Sequence, residues 1–119
     1  TLFRSKYLKV LTLYRNVCAH NERLFFYHTY IDIPDTLLHE KLSISKNGSK
    51  YIYGKNDLFS VVITFRYLLP KTDFLLFKKQ LLHIFDRYEK RNSNLKLNDL
   101  FEYMGFPINW KEITKFRKI

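Results

Sequence analysis

The sequence predicts an all-α domain: a bundle of about three longer helices, with short capping helices between them. Two observations point to it. Apolar side chains recur at helical spacing in three separate stretches, the second of which lies between a capping Asn and a Pro. The 119 residues, 46% of them hydrophobic and 18% aromatic, suit one domain with one core over residues 1–119.

The first stretch covers residues 2–21. Phe3, Tyr7, Val10, Leu11, Tyr14, Val17 and Cys18 follow the i, i+3, i+4, i+7 rule of one helix face. The run Leu24 to Ile31 is apolar without a clear period and reads equally as an extended segment or more helix. Pro34 disfavours helix at Ile33, and Asp35 can cap a short helix from Thr36 to Leu42. From Ser43 to Lys55, Asn47-Gly48 permits a small hairpin. A basic, mobile loop carrying Lys46, Lys50 and Lys55 is the preferred reading.

Asn56 is a suitable cap for a helix from Asp57 to Leu69, buried along Leu58, Val61, Val62, Phe65 and Leu69 and stopped by Pro70. Thr72 can cap a third long helix, Asp73 to Lys90, with Phe74, Phe77, Leu81, Ile84, Phe85 and Tyr88 on one face. Asn92-Ser93-Asn94 reads as a loop. Asn98 can cap a helix ending at Met104, with Gly105 as its left-handed terminator. Asn109 can cap a last turn from Trp110 to Phe116, and Trp110 and Met104 are expected to pin that end to the bundle.

Polar side chains crowd one short segment, Tyr14 to Leu24, which sets Arg15, Asn16, His20, Asn21, Glu22 and Arg23 among apolar neighbours. On a helix Asn16 and His20 share a face. Arg15 and His20 are five apart, so about 140° separates them around the axis. One chain cannot easily aim both at the same atom. Two chains can, if their helices cross at a symmetry axis.

Arg15-Asn16-Val17-Cys18-Ala19-His20 resembles the R-N-x-x-x-H signature of HEPN ribonucleases. The longer block from Tyr14 to Leu24 resembles the R-N-x-C-A-H-x-x-R-L block of Abi-like (AbiD/AbiF) abortive-infection proteins. Met104-Gly105-Phe106-Pro107-Ile108-Asn109-Trp110 is similar to that family's C-terminal M-G-F-P-x-x-W. The resemblance implies a HEPN-like helical bundle that dimerises and cuts RNA without metal or cofactor. The ribose 2′-OH would attack the adjacent phosphate, leaving a cyclic phosphate and a 5′-OH. Arg15 and His20 would be catalytic, with Asn16, Glu22 and Arg23 in support. The implied role is phage defence or toxin-like growth arrest, held silent by an antitoxin or by an N-terminal region. Because the block lies well inside the chain in that family, and this sequence opens on Thr within a helical pattern, a C-terminal piece of a longer protein is expected.

The residue types suit the chemistry. His exchanges protons near neutral pH, and the permanently charged, forked Arg suits a crowded phosphorane. Cys18 reads as a small packed residue. Cys18, His20, His28, His39 and His83 show no zinc spacing, so no metal site is expected. His39 and His83 read as surface or capped residues.

Charge agrees with a nucleic-acid partner: 21 Lys and Arg stand against 11 Asp and Glu, a net +10. Basic residues gather at Arg87 to Arg91 and from Lys111 to Lys118. Lys46, Lys50 and Lys55 with Tyr51 and Tyr53 can contact RNA, the tyrosines by stacking on unpaired bases. Tyr27 and Tyr30 can do the same, or pack in the core. No run is long and apolar enough to span a membrane, no targeting signal is visible, and the single Cys suits a reducing cytoplasm. A non-catalytic RNA-binding or dimerisation module on the same fold is the alternative.

Overall fold

The computed structural model describes residues 2–19, 27–91 and 96–116, with side chains for 5–14, 27–90 and 96–116. The described chain is mostly helical. In order it forms α1 (Leu2–Ala19), α2 (Leu37–Lys41), β1 (Lys46–Asn47), β2 (Lys50–Tyr51), α3 (Leu58–Leu68), α4 (Lys71–Arg91), α5 (Leu97–Met104) and a 3-10 helix, Trp110–Lys115. Of the predicted first helix, residues 20 and 21 lie outside the described residues.

α3 is the middle of the molecule. α1 packs on it from one side and α4 from another, and α5 packs on α4. Tyr7 of α1 stacks on Tyr67 of α3 at 6.0 Å, Phe65 of α3 meets Phe77 of α4 edge-on at 4.9 Å, and Phe85 of α4 meets Phe101 of α5 at 5.4 Å. Among the described side chains of α1, those buried are Tyr7, Val10 and Tyr14, as the helical spacing requires.

The one-sided stripe expected for α3 is not what the fold uses. Phe59, Ser60, Val61, Val62, Ile63, Thr64 and Arg66 are all buried, while Leu58, Phe65 and Leu69 are only partly so. A helix covered over most of its surface buries polar residues too, and these must find partners inside. Thr64 donates to the Ser60 carbonyl at 2.7 Å, and Ser60 to the Asp57 carbonyl at 2.5 Å. Arg66 reaches the C-terminal segment, donating to the carbonyls of Phe116 (3.0 Å) and Ile113 (3.5 Å) with its guanidinium over the Phe74 ring. On α4, Phe74 and Phe85 are buried, but Ile84 is 52% exposed and not part of the core face.

Several caps differ from expectation. Thr36, not Asp35, caps α2, in a capping box with His39 at N3. Asp35 instead pairs with Lys55 at 2.6 Å. Asp57, not Asn56, caps α3. α4 begins at Lys71, one residue before the expected Thr72 cap. Pro70 supplies the carbonyl for its first bond, to Phe74 N–H, and leaves Leu69 extended. Lys96 rather than Asn98 stands at the N-cap of α5, without a side-chain bond. Asn109 precedes the 3-10 helix but spends its amide on the Leu42 carbonyl, 3.1 Å away. Gly105 ends α5 in the left-handed region at φ 78°, as expected.

The preferred loop between Ser43 and Lys55 is corrected to a hairpin. β1 and β2 pair antiparallel, Lys46 with Tyr51 and Asn47 with Lys50. Gly48, at φ 67°, occupies the first position of the two-residue turn, where a positive φ is needed. The hairpin is anchored by His39, which is fully buried. His39 Nδ1 accepts from Thr36 N–H at 3.0 Å, and Nε2–H donates to the Gly54 carbonyl at 2.7 Å. Burial lowers its pKa to about 4, so the ring is neutral.

Candidate functional site

Arg15 and Asn16 lie on the helical backbone of α1, as do Val17, Cys18 and Ala19. Their side chains, and His20, Glu22 and Arg23 altogether, lie outside the described residues. What the structure supplies is the frame around them, beginning at Tyr14.

Tyr14 is 4% exposed and immediately precedes Arg15. Its hydroxyl donates to the Tyr27 carbonyl at 2.7 Å, with the Asn56 carbonyl a second acceptor at 3.3 Å, and its ring meets Tyr27 edge-on at 5.2 Å. Burial, and then the charge of Asp57, push this phenol far above its ordinary range, so it remains a donor. The segment after the motif is therefore brought back against the end of α1. Tyr27 to Tyr30 is not helical, which decides between the two readings for that part of the apolar run.

Asn56 and Asp57, at the start of α3, gather the rest. The Asn56 carbonyl also accepts Thr29 N–H at 2.8 Å. The Asn56 side-chain oxygen lies 3.3 Å from His28 Nδ1, and His28 Nε2 lies 3.1 Å from the Tyr103 carbonyl. A carbonyl only accepts, so Nε2 carries a hydrogen. Asp57 takes Gly54 N–H on both oxygens, at 3.1 and 3.0 Å, and Ser60 N–H on Oδ1 at 3.0 Å. Its carboxylate fills the space beside Gly105, where an added Cβ would come within 1.8 Å of Oδ2.

The two distant sequence blocks thus meet through one dipeptide. Tyr14, which opens the first block, bonds to Asn56. Met104-Gly105, which opens the second, packs against Asp57 and follows the residue that His28 grips. The remainder of the second block is an aromatic cluster. Phe106 stacks on Phe101 at 5.5 Å, and Trp110 stands edge-on to Phe106 at 5.2 Å. Trp110 is 1% exposed and Met104 is fully buried, so both pin this end to the bundle.

Asp57 makes the frame sensitive to pH. Burial raises its pKa from the ordinary 3.8 to about 6, against hydrogen bonds from Gly54 and Ser60 that act the other way. The folded chain then holds this proton more tightly than the unfolded one. The associated stability is fully present below about pH 4 and is lost as pH rises through about 6. A rise of about two units corresponds to on the order of 3 kcal/mol. Asp57→Asn should keep the cap but remove this slope. Urea denaturation at pH 4 and pH 7 measures it: the wild type should lose stability relative to Asp57→Asn over that interval. Equal slopes would assign the pH dependence to other groups.

The residues proposed for RNA contact are distributed around the hairpin. Tyr51 stacks on His39 at 5.0 Å, and Lys46 Nζ stands 4.6 Å from its ring centroid. Lys50 is exposed. Lys55 is paired with Asp35, its side chain only 13% exposed. Tyr53 is half-buried and lines a cleft of about 610 Å³ that also includes Ser45, Phe101, Glu102 and Ile108. His39 connects the hairpin to Gly54, and Gly54 N–H connects to Asp57.

Among the described residues no group of three or more His, Cys, Asp or Glu could hold a metal ion, and no helix is long and apolar enough to cross a membrane. Compared with protein-family models, curated proteins and solved structures, the chain finds no match.

His28, Asn56 and Asp57 are what residue-by-residue reading missed as a unit. Asn56 and Asp57 read as an ordinary helix start, and His28 as one of several scattered histidines, near enough in sequence to the motif to join an RNA surface. The available signal was their redundancy: two adjacent good caps where one helix needs only one.

Proposed function

We propose that the chain is a HEPN-type domain resembling the C-terminal part of an Abi-like protein, and that it acts as a dimeric, metal-independent endoribonuclease in phage defence or as a toxin. The observation that carries this reading is the meeting of the two family-like blocks at Asn56-Asp57. A chance likeness in two separated stretches gives no reason for both to be fastened to one point of the fold. The placement of Arg15 near the C-terminal end of α1 and the net charge of +10 are consistent with it.

In this reaction the substrate brings its own nucleophile. His20 exchanges a proton with the 2′-OH or with the leaving 5′-oxygen. Arg15 stabilises the charge that accumulates on the phosphorane. The two are supplied across a dimer, because on an ideal helix a five-residue spacing would set them about 140° apart. Asn16 orients His20 or binds phosphate, and Glu22 and Arg23 support the cleft. An antitoxin or an N-terminal region restrains the activity.

The test is incubation with single-stranded RNA and with DNA of the same sequence, in excess chelator. RNA should be cut to fragments with cyclic phosphate and 5′-OH ends, and DNA should stay intact for want of the 2′-OH. Cleavage of both, or cleavage abolished by chelator, would remove the mechanism. Binding with a steep salt dependence but no cutting would leave the RNA-binding module.

A further inference from the structure

The segment that returns past the end of α1 alternates in exposure. His28 is exposed, Thr29 is 4% exposed, and Tyr30 is 74% exposed. Thr29 is held inward by its N–H bond to the Asn56 carbonyl, and its hydroxyl is spent on the Ile31 carbonyl at 2.6 Å. His28 and Tyr30 thus both reach the surface, on either side of the buried Thr29. His28 is fixed by its Nε2–H bond to the carbonyl of Tyr103, with Nδ1 3.3 Å from the Asn56 side chain. Tyr103 is itself 56% exposed. His28 thus meets the backbone of the exposed Tyr103 and stands two residues before the exposed Tyr30, next to Tyr27, whose carbonyl holds Tyr14.

We infer that His28, Tyr30 and Tyr103 form a platform on which unpaired bases of single-stranded RNA stack, beside the end of α1 that carries Arg15. The inference rests on the nuclease reading for its placement next to the reacting phosphate. Three features favour RNA. A tyrosine face accepts any base, whereas a duplex hides its base faces. The excess of positive charge draws in the phosphates, leaving the aromatic surface to sort unpaired from paired strands. The patch is also too small for a stable protein interface. Two tyrosines this exposed offer on the order of 250 Å², against about 800 Å² that each partner normally buries.

The experiment uses the whole chain and a labelled 2′-O-methyl RNA 12-mer, which binds but cannot be cut by 2′-OH attack. In fluorescence anisotropy, Tyr30→Ala with Tyr103→Ala should raise Kd at least tenfold for the single strand and leave duplex binding unchanged. The paired Tyr→Phe variant should stay within about twofold, since it keeps both rings. Tyr30→Trp supplies an independent readout, because a base stacked on the indole quenches its emission. The inference is overturned if the alanine variant binds as the wild type does, or if RNA leaves the emission of Tyr30→Trp unchanged. It is also overturned if the alanine variant changes sedimentation instead of RNA affinity, which would make the patch a protein contact. Cleavage of unmodified RNA is scored separately. Ring-dependent binding without cleavage removes the nuclease and keeps the platform; cleavage with unchanged Kd in the alanine variant does the reverse.

Discussion

RNA cleavage is expected to fall at least a hundredfold in His20→Ala and in Arg15→Ala, and to recover at least tenfold over either when the two variants are mixed and allowed to exchange subunits. Loss of a positioned proton carrier removes a factor of roughly 10² to 10⁴. Loss of a fixed charge at the phosphorane removes about 10² to 10³. Recovery follows from the spacing. A mixed dimer keeps one intact His20 and one intact Arg15 on opposite chains, which is the pairing a cross-dimer site requires. If Arg15 and His20 acted within one chain, every subunit in the mixture would lack one of them, and no recovery could occur. Failure to recover in a mixture shown to have exchanged would therefore eliminate the shared site, even if both single variants were inactive.

Gly105→Ala should be the most damaging single-methyl change among the described glycines, costing about 4 kcal/mol and lowering Tm by roughly 15 °C. Two effects add. At φ 78° an alanine is strained by about 1 kcal/mol. Its Cβ would also fall within 2.7 Å of three carboxyl atoms of Asp57, which is buried and cannot swing into water. Displacing Asp57 loses the cap of α3, worth about 1–2 kcal/mol. It also leaves the Gly54 N–H without its acceptor, at a further 1–3 kcal/mol. Gly48→Ala is the matched control: its φ is 67°, but nothing lies within 4 Å of the added methyl. It should cost only about 1 kcal/mol, so thermal melts of the two separate backbone strain from steric displacement. Equal losses would mean that Asp57 moves aside freely and does not hold the frame.

Much of this fold is legible from spacing and punctuation, and the failures share a cause. α1 shows the expected stripe because it has water on one side. α3 does not, because periodicity presumes such a side, and Ser60, Thr64 and Arg66 look like surface residues until their internal carbonyl partners are known. Two of the caps that differ from expectation have two candidates side by side: Asp35 beside Thr36, Asn56 beside Asp57. In each pair the unused residue makes a tertiary contact instead, Asp35 with Lys55 and Asn56 with Tyr14, Thr29 and His28. Such contacts join residues far apart in sequence, so no local rule contains them. The hairpin was visible as Asn47-Gly48, but its anchor, His39, lies outside the segment. For the candidate site, the two motif blocks could be read from the chain and their meeting at Asn56-Asp57 could not.

The enclosure of α3 bears on how the molecule comes apart. Most of its residues are buried beneath α1, α4 and the segments beside them. Their amides can exchange hydrogen with the solvent only when those neighbours separate together. A helix in that position binds its surroundings into one cooperative unit. Loosening at the Asn56-Asp57 end is then transmitted along the helix to Arg66 and the C-terminal turn that it holds.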